Sequence, residues 1–304
     1  MAQVAITGAT GFVGSAALEV ALHRGLGIRA LTRSEQSPQD RVTWVRGTLG
    51  DGAALRELVT GCDALIHIAG LTNTPNPGRF EAANVTGTAN MIAAAKDAEV
   101  ERFVFVSSLS AREPDLSAYG ASKAKAERLV QDSGLDWTIV RPPAVYGPRD
   151  TDMFELFRTA KYGVVPVPAR GRTSIIHVED LARLLVALAA PQPMTTGKTY
   201  EPWDDNAFGY EHSELAKLIA LAVGNNYALT VPLPNAVMEF AAKLDGAIRG
   251  PKAKLTADRV GYMTHPDWVC DMKKAPPVSL WQAVWDGEAG LKMTAEWYRK
   301  MGWL

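Results

Sequence analysis

Cysteine is almost missing. Cys62 and Cys270 are the only two in 304 residues, too few for a disulfide framework or a thiolate metal cluster, as suits a reducing compartment. Long apolar runs are missing too: none approaches the roughly 18 residues that a membrane-spanning helix needs. There is no surplus of either charge, since 32 Lys and Arg offset 33 Asp and Glu. A nucleic-acid binder held by electrostatics would need a basic excess, so that class is disfavoured. Met1-Ala2-Gln3 enters an apolar segment with no basic stretch or cleavage site. The expectation is a cytoplasmic protein without a membrane span. With 47% hydrophobic and 21% charged residues, the composition is that of a folded globular chain.

What is present is a rhythm. Short apolar runs at Val4–Ile6, Ile28–Leu31, Val42–Val45, Ala64–Ile68, Phe103–Ser107 and Trp137–Val140 read as strands. Between them, Phe12–Arg24, Ala53–Val59, Asn84–Asp97 and Tyr119–Asp132 carry helical spacing. Alternating strands and helices predict an α/β fold: a Rossmann-type, doubly wound parallel sheet with right-handed crossovers. After Arg141 the rhythm weakens at Pro142-Pro143 and Gly147-Pro148. Helices are expected at 151–162, 178–189, 213–222 and 236–248. We read residues 1–145 as a dinucleotide-binding domain. Residues 146–304 form a smaller, mostly helical substrate lobe, some segments of which return to the sheet.

The first strand ends in Thr7-Gly8-Ala9-Thr10-Gly11-Phe12-Val13-Gly14. Glycines spaced Gly-x-x-Gly-x-x-Gly between a strand and a helix let backbone N–H groups approach a pyrophosphate, and the helix N-terminus favours the negative charge. Gly8, Thr10, Gly11, Phe12, Val13 and Gly14 are therefore cofactor candidates. An acidic residue after strand two would favour NAD; the chain has Thr32-Arg33-Ser34 instead. Arg33 and Ser34 suit a 2′-phosphate, so NADP is expected ahead of NAD.

Strand five ends at Ser107-Ser108, and the following helix opens with Tyr119-Gly120-Ala121-Ser122-Lys123. Tyr119 and Lys123 share a helical face at i and i+4, and Ser108 falls at the same rim of the sheet. A phenol titrates near pH 10. A neighbouring ammonium and a positive nicotinamide are expected to lower that value, so that Tyr119 exchanges a proton with a substrate oxygen while hydride moves at carbon. Ser108 would bond the same oxygen, and Lys123 would also hold the nicotinamide ribose.

With these motifs the chain resembles the extended short-chain dehydrogenase/reductases, the family of nucleotide-sugar epimerases, steroid dehydrogenases and flavonoid-type carbonyl reductases. His67-Ile68-Ala69-Gly70, Asn84-Val85-Thr86-Gly87-Thr88, Arg141–Pro148, Ile176–Asp180 and the closing Trp297–Leu304 are similar to family motifs, so the likeness covers nearly the whole chain. It implies that Ser108, Tyr119 and Lys123 are catalytic. It places Asn84 in support of the active-site helix or in a proton relay, beside the alternative of a plain helix-packing amide. It puts Ala69 and Gly70 near the middle of the cofactor, and Pro142, Ala144 and Val145 near the nicotinamide. Thr48 and Leu49 stand after strand three, where many members carry an acidic residue for adenine. Leu109-Ser110 replaces the Asp-Glu pair of the dehydratases, which disfavours water loss. His67 and His177 read as structural, and no metal site is expected.

Three functions remain open at this point: an NAD(P)-dependent oxidoreductase interconverting a carbonyl and an alcohol, with Tyr119 as acid/base; a redox-neutral nucleotide-sugar epimerase; and a non-catalytic NADP-binding module. The intact triad speaks against the last. The loop Leu109–Ala118 is short for an epimerase. Arg149, Arg158, Lys161, Arg170 and Arg172 are the cations available for a sugar diphosphate. The late lobe is rich in aromatics (Trp203, Phe208, Tyr210, Tyr227, Phe240, Tyr262, Trp268) that suit a hydrophobic carbonyl or a core. The reductase is favoured, acting on a small-molecule carbonyl or alcohol. Family analogy suggests a homodimer through the helices holding Asn84 and Tyr119.

Overall fold

The computed structural model describes residues 2–304. The first half runs β1 (Gln3–Thr7), α1 (Phe12–His23), β2 (Gly27–Thr32), β3 (Val42–Arg46), α2 (Gly52–Val59) and β4 (Ala64–His67). A short α3 (Gly78–Phe80) continues through a π-helical turn, Glu81–Thr86, into α4 (Gly87–Asp97). Then come β5 (Arg102–Val106), two 3₁₀ turns (Leu109–Arg112 and Pro114–Leu116), α5 (Ala118–Gln131) and β6 (Asp136–Val140).

The second half holds β7 (Ala144–Tyr146), α6 (Phe154–Lys161), β8 (Val164–Pro168), β9 (Arg172–Thr173) and β10 (Ile175–His177). It continues with α7 (Val178–Leu188), β11 (Lys198–Tyr200), β12 (Tyr210–Glu211), α8 (His212–Ala222) and β13 (Leu229–Leu233). It closes with α9 (Asn235–Arg249), α10 (Ala257–Met263), β14 (Asp267–Trp268) and α11 (Gly287–Lys300).

Seven strands form one sheet in the order β11-β6-β5-β4-β1-β2-β3, and every neighbouring pair is parallel. The order turns back on either side of β1, which leaves a crevice above the carboxyl ends of β1 and β4. Side-chain alternation assigns the two faces. Val4, Ile6, Ile28, Ala30, Ile66 and Val104 pack with Leu18 and Ala21 of α1 and Leu181 and Leu184 of α7. Ala5, Leu31, Leu65, Phe103 and Ile139 point the other way, onto Leu55 of α2, Met91 of α4 and Ala126 and Val130 of α5. The strands are apolar on both faces, as a fully covered parallel sheet requires.

The remaining chain makes a smaller lobe. Tyr146, Phe157, Leu215, Ile219, Leu291 and Tyr298 fill its main core. Its sheets are short, with two or three strands each. Two elements cross back: α7 packs on α1, and β11 extends the large sheet beside β6. β7 spans the 145/146 boundary.

Local differences from the sequence reading have local causes. The helix expected from Asn84 starts earlier, at Gly78. α6 starts at Phe154 rather than 151, because the Asp150 carboxylate accepts the N–H groups of Asp152 (2.8 Å) and Met153 (3.1 Å) and holds that stretch as a turn. The segment Leu109–Ala118 is not loose: Leu109, Ser110 and Ala111 are buried in its first 3₁₀ turn. α10 and α11 were not expected at all.

Candidate active site

Apart from Lys123 on α5, the residues assigned to the cofactor lie beyond the carboxyl ends of parallel strands. The glycine loop follows β1, Arg33 and Ser34 follow β2, and Thr48 and Leu49 follow β3. Ala69 and Gly70 follow β4, Ser108 follows β5, and Pro142, Ala144 and Val145 follow β6. Strand order therefore lines them along one edge of the sheet.

The glycine loop fits a dinucleotide. Gly8 has φ +76°, and a Cβ there would stand 2.8 Å from the Ala69 nitrogen. A Cβ on Gly14 would collide with the Gly8 carbonyl oxygen. Gly11 is the N-cap of α1, no side chain caps it, and the first turn carries no carboxylate. The N–H groups at that terminus remain available to an anion. Thr10 and Gly11 are exposed, while Phe12 and Val13 are half-buried. Arg33 and Ser34 are exposed, and Arg33 has no ion-pair partner among the described residues. Thr48 is exposed; its hydroxyl accepts the Gly50 N–H at 3.2 Å, while Leu49 packs against Gly87.

Ser108, Tyr119 and Lys123 converge. Ser117 caps α5 by accepting the Gly120 N–H (2.9 Å), which sets Tyr119 in the first turn. Tyr119 is buried, with ring centroids 5.7 Å from Phe80 and 5.9 Å from Tyr262. Burial pushes the phenol's pKa up, while the facing Ser108 hydroxyl pulls it down less strongly. Burial sets that direction, and the Lys123 ammonium is directed elsewhere. It donates to the Val106 carbonyl at 2.8 Å and lies 4.9 Å from the Phe105 ring centre. Burial brings Lys123 down to about 8, against the pull of Glu127. Gly70 passes close by: a Cβ there would be 3.4 Å from the Lys123 Nζ.

Asn84 is buried and fully engaged. Its Oδ1 accepts the Leu71 N–H (2.7 Å), and its Nδ2 donates to the Leu71 carbonyl (2.9 Å) and to Ser122 Oγ (2.9 Å). Ser122 in turn donates to the Tyr119 carbonyl (2.7 Å). The amide ties the loop after β4 to the helix of Tyr119, and so acts on the site through other residues.

Several supporting residues escaped the sequence reading. Thr7 Oγ1 accepts the N–H groups of Ile68 (3.2 Å) and Ala69 (3.1 Å), so its own proton goes to His67 Nδ1 at 2.7 Å. His67 Nε2–H then donates to Thr88 Oγ1 (3.1 Å), and Thr88 donates to the Asn84 carbonyl (2.7 Å). Burial, helped by the Lys123 charge, takes His67 down to about 3 and keeps the ring neutral. That is the structural role expected of it. Glu127 accepts from Ser107 Oγ (2.5 Å) and from both Nε (2.8 Å) and Nη2 (2.6 Å) of Arg141. The spacing Tyr119, Lys123, Glu127, four residues apart each time, was a legible signal for it. Asp258 of α10 was not legible: it accepts the N–H groups of Ala118 (2.5 Å) and Tyr119 (3.3 Å) across 140 residues of chain.

The side facing Phe80 and Tyr262 is apolar. Leu109, Trp268 and Cys270 pack together nearby with Leu116, Trp203 and Tyr262. Phe208, Tyr227 and Phe240 are instead exposed, and Tyr210 lies in the lobe core. Three of the arginines considered for a diphosphate are paired at the surface: Arg149 with Glu19, Arg158 with Glu155, Arg172 with Glu211.

This site and fold define an NAD(P)-dependent oxidoreductase, and the chain belongs to the extended short-chain dehydrogenase/reductase family. A family model described as NAD(P)H-binding matches residues 8–191. A ceramide reductase of Caulobacter vibrioides is 34% identical over 310 residues, covering 99% of this chain and 96% of the relative. A 4-hydroxy-2-methyl-3-oxo-4-farnesyl-3,4-dihydroquinoline-1-oxide ketoreductase of Stigmatella aurantiaca is 32% identical over 216 residues, 62% of this chain and 64% of that one. Among solved structures, MoeE5 in complex with UDP-glucose and NAD superposes with a TM-score of 0.77 at 23% identity, over 99% of both chains. That likeness is one of fold. No helix among the described residues is long and apolar enough to cross a membrane.

Proposed function

We propose that the protein reduces the carbonyl of an apolar, lipid-like ketone to an alcohol, with NADPH as hydride donor. The observation that carries this is the burial of Tyr119 between Phe80 and Tyr262, which holds its phenol protonated. A reduction needs a proton donor at that position. A bound nicotinamide would supply the hydride. The residues do the rest. Ser108 Oγ accepts the Ser110 N–H (3.2 Å) and donates to Ser110 Oγ (3.2 Å), a bond its hydroxyl would exchange for the substrate oxygen. Tyr119 gives that oxygen its proton as the carbonyl carbon gains hydride, and solvent returns the proton to the phenol. Lys123 holds positive charge beside the reacting groups, and phenyl walls exclude water from them.

The substrate class rests on two supports. One is the name of a relative that covers 99% of this chain, a ceramide reductase. The other is the apolar wall of Phe80, Tyr262, Leu109 and Trp268 around Tyr119. NADPH is favoured by Arg33 and Ser34, exposed beyond β2 without a carboxylate in Thr32–Ser34.

The test is a panel of long-chain ketones followed by NADPH absorbance, with UDP-sugars assayed under redox-neutral detection. Tyr119→Phe should lose about 100-fold or more in reduction while still binding NADPH. Interconversion of UDP-sugars without net cofactor change would overturn the reaction. Arg33→Ala should weaken NADPH by about tenfold or more and leave NADH unaffected; tighter binding of NADH by the unmodified protein would overturn the cofactor assignment.

A further inference from the structure

The chain has eight tyrosines, and six of their hydroxyls have an evident place. Tyr162 and Tyr227 stand in water. Tyr200 donates to the Met194 carbonyl (2.6 Å), Tyr210 to the Asp204 carboxylate (2.7 Å) and Tyr298 to the Asp150 carbonyl (2.9 Å). The Tyr146 oxygen is sealed in the core of the smaller lobe. Tyr119 and Tyr262 remain. Tyr119, facing Ser108, is the proton donor proposed above. Tyr262 has been counted so far only for its ring. Among the described residues its hydroxyl has no hydrogen-bond partner, yet its oxygen is not closed off as that of Tyr146 is.

The two phenols belong to one wall. Their rings are 5.9 Å apart, and a charge on Tyr262 would raise the pKa of Tyr119, so the oxygens are near enough to sense each other. Burial pushes the Tyr262 phenol up against the pull of Arg259, which leaves it neutral and able to donate. Arg259 itself is engaged, with Nη1 and Nη2 at 3.3 and 3.2 Å from the Asp152 carboxylate.

The backbone that carries Tyr262 is fixed. Trp268 Nε1 donates to the Tyr262 carbonyl at 2.7 Å. A Cβ on Gly261 would stand 2.5 Å from the Leu116 carbonyl oxygen, so α10 lies directly on the 3₁₀ turn before α5. Asp258, four residues before Tyr262, accepts the Tyr119 N–H. The second phenol is thereby held at a set place relative to the first, as a binding group must be. Leu109, Leu116 and Trp268 beside it are apolar. A ligand that covers a lone hydroxyl in such a wall without bonding to it strips its water for nothing, whereas one that accepts its proton gains.

We propose that Tyr262 is a specificity-determining residue: its hydroxyl donates to an oxygen that the substrate carries beside the ketone, as a hydroxyl, ether or amide, so that a plain hydrocarbon ketone is the poorer substrate. This rests on the carbonyl reduction proposed above and narrows its substrate class.

The test compares two long-chain ketones, one with a methoxy group on the carbon beside the carbonyl and one with an ethyl group there. They match in size and differ in one acceptor oxygen. Their binding to the full chain loaded with NADP+ is measured by calorimetry in detergent solution. The methoxy ketone should bind about fivefold or more tightly, and kcat/KM with NADPH should show the same preference. In Tyr262→Phe that ratio should fall to near one, with a melting temperature close to the original's as proof that it folds. Tyr262→Met is a second variant and should lose the ratio in the same way. An unmodified protein that binds the two ketones alike, or binds neither, would overturn the proposal. So would variants that keep the full ratio. Failure of the reduction reading is separate, because it would show as no NADPH oxidation with either ketone, and the binding ratio would still decide the role of Tyr262.

Discussion

Tyr119 and Lys123 stand four residues apart on one helix, yet burial moves their pKa values in opposite directions. Each shift favours the neutral form, because charge is disfavoured away from water. For the phenol the neutral form is the proton donor. For the amine it is the loss of a useful charge, and Lys123 titrates at about 8. Below that pH the protonated phenol and the charged amine coexist. Above it the ammonium is lost while the phenol is still protonated. Carbonyl reduction should therefore fall as pH rises through about 8. Glu127 supports the ammonium, so Glu127→Gln should move the fall to lower pH. A pH–rate profile flat across this range, measured at saturating substrate, would contradict the role given to Lys123.

At the scale of elements, α5 is positioned by one neighbouring residue and one distant in the chain. Its own Ser117 caps one N–H, and Asp258 of α10 accepts two more. The second cap also pins the smaller lobe to the helix that carries Tyr119 and Lys123. Asp258→Ala should cost about 1 kcal/mol of stability, seen in denaturant titration. It should also lower kcat by letting α10 and Tyr262 move relative to Tyr119. Unchanged kcat would show that the cap stabilises α5 without positioning it.

At the scale of the molecule, a buried ionic cluster joins the sheet to the late chain. Glu201, just after β11, has no exposed surface and accepts from Arg141 (3.4 Å), Lys274 (3.3 Å) and the Asp271 N–H (2.9 Å), with Arg112 at 3.6 Å. Arg141 carries the cluster on to Glu127 of α5. Neutralising its centre leaves three part-buried cations without their carboxylate, so Glu201→Gln should destabilise by about 1–3 kcal/mol and lower the melting temperature by several degrees. A melt that coincides with the unmodified protein would show that water already satisfies those cations.

The sequence by itself determined the parallel sheet, and it singled out the residues proposed to hold the cofactor and to carry the chemistry. Those features are written in local patterns: apolar runs of strand length, glycines between a strand and a helix, a tyrosine and a lysine one turn apart. Only the tertiary structure decided what surrounds them. Asp258 reaches the start of α5 across 140 positions, Thr7 reaches Asn84 through His67 and Thr88, and Glu201 gathers cations from three separate segments. The aromatics of the late lobe look alike in sequence, yet Tyr262 meets Tyr119, Tyr210 enters a core and Phe240 faces outward. The sign of the Tyr119 shift was illegible for the same reason. It depends on how much water the whole fold removes from the phenol, and burial is a sum over neighbours distant in the chain.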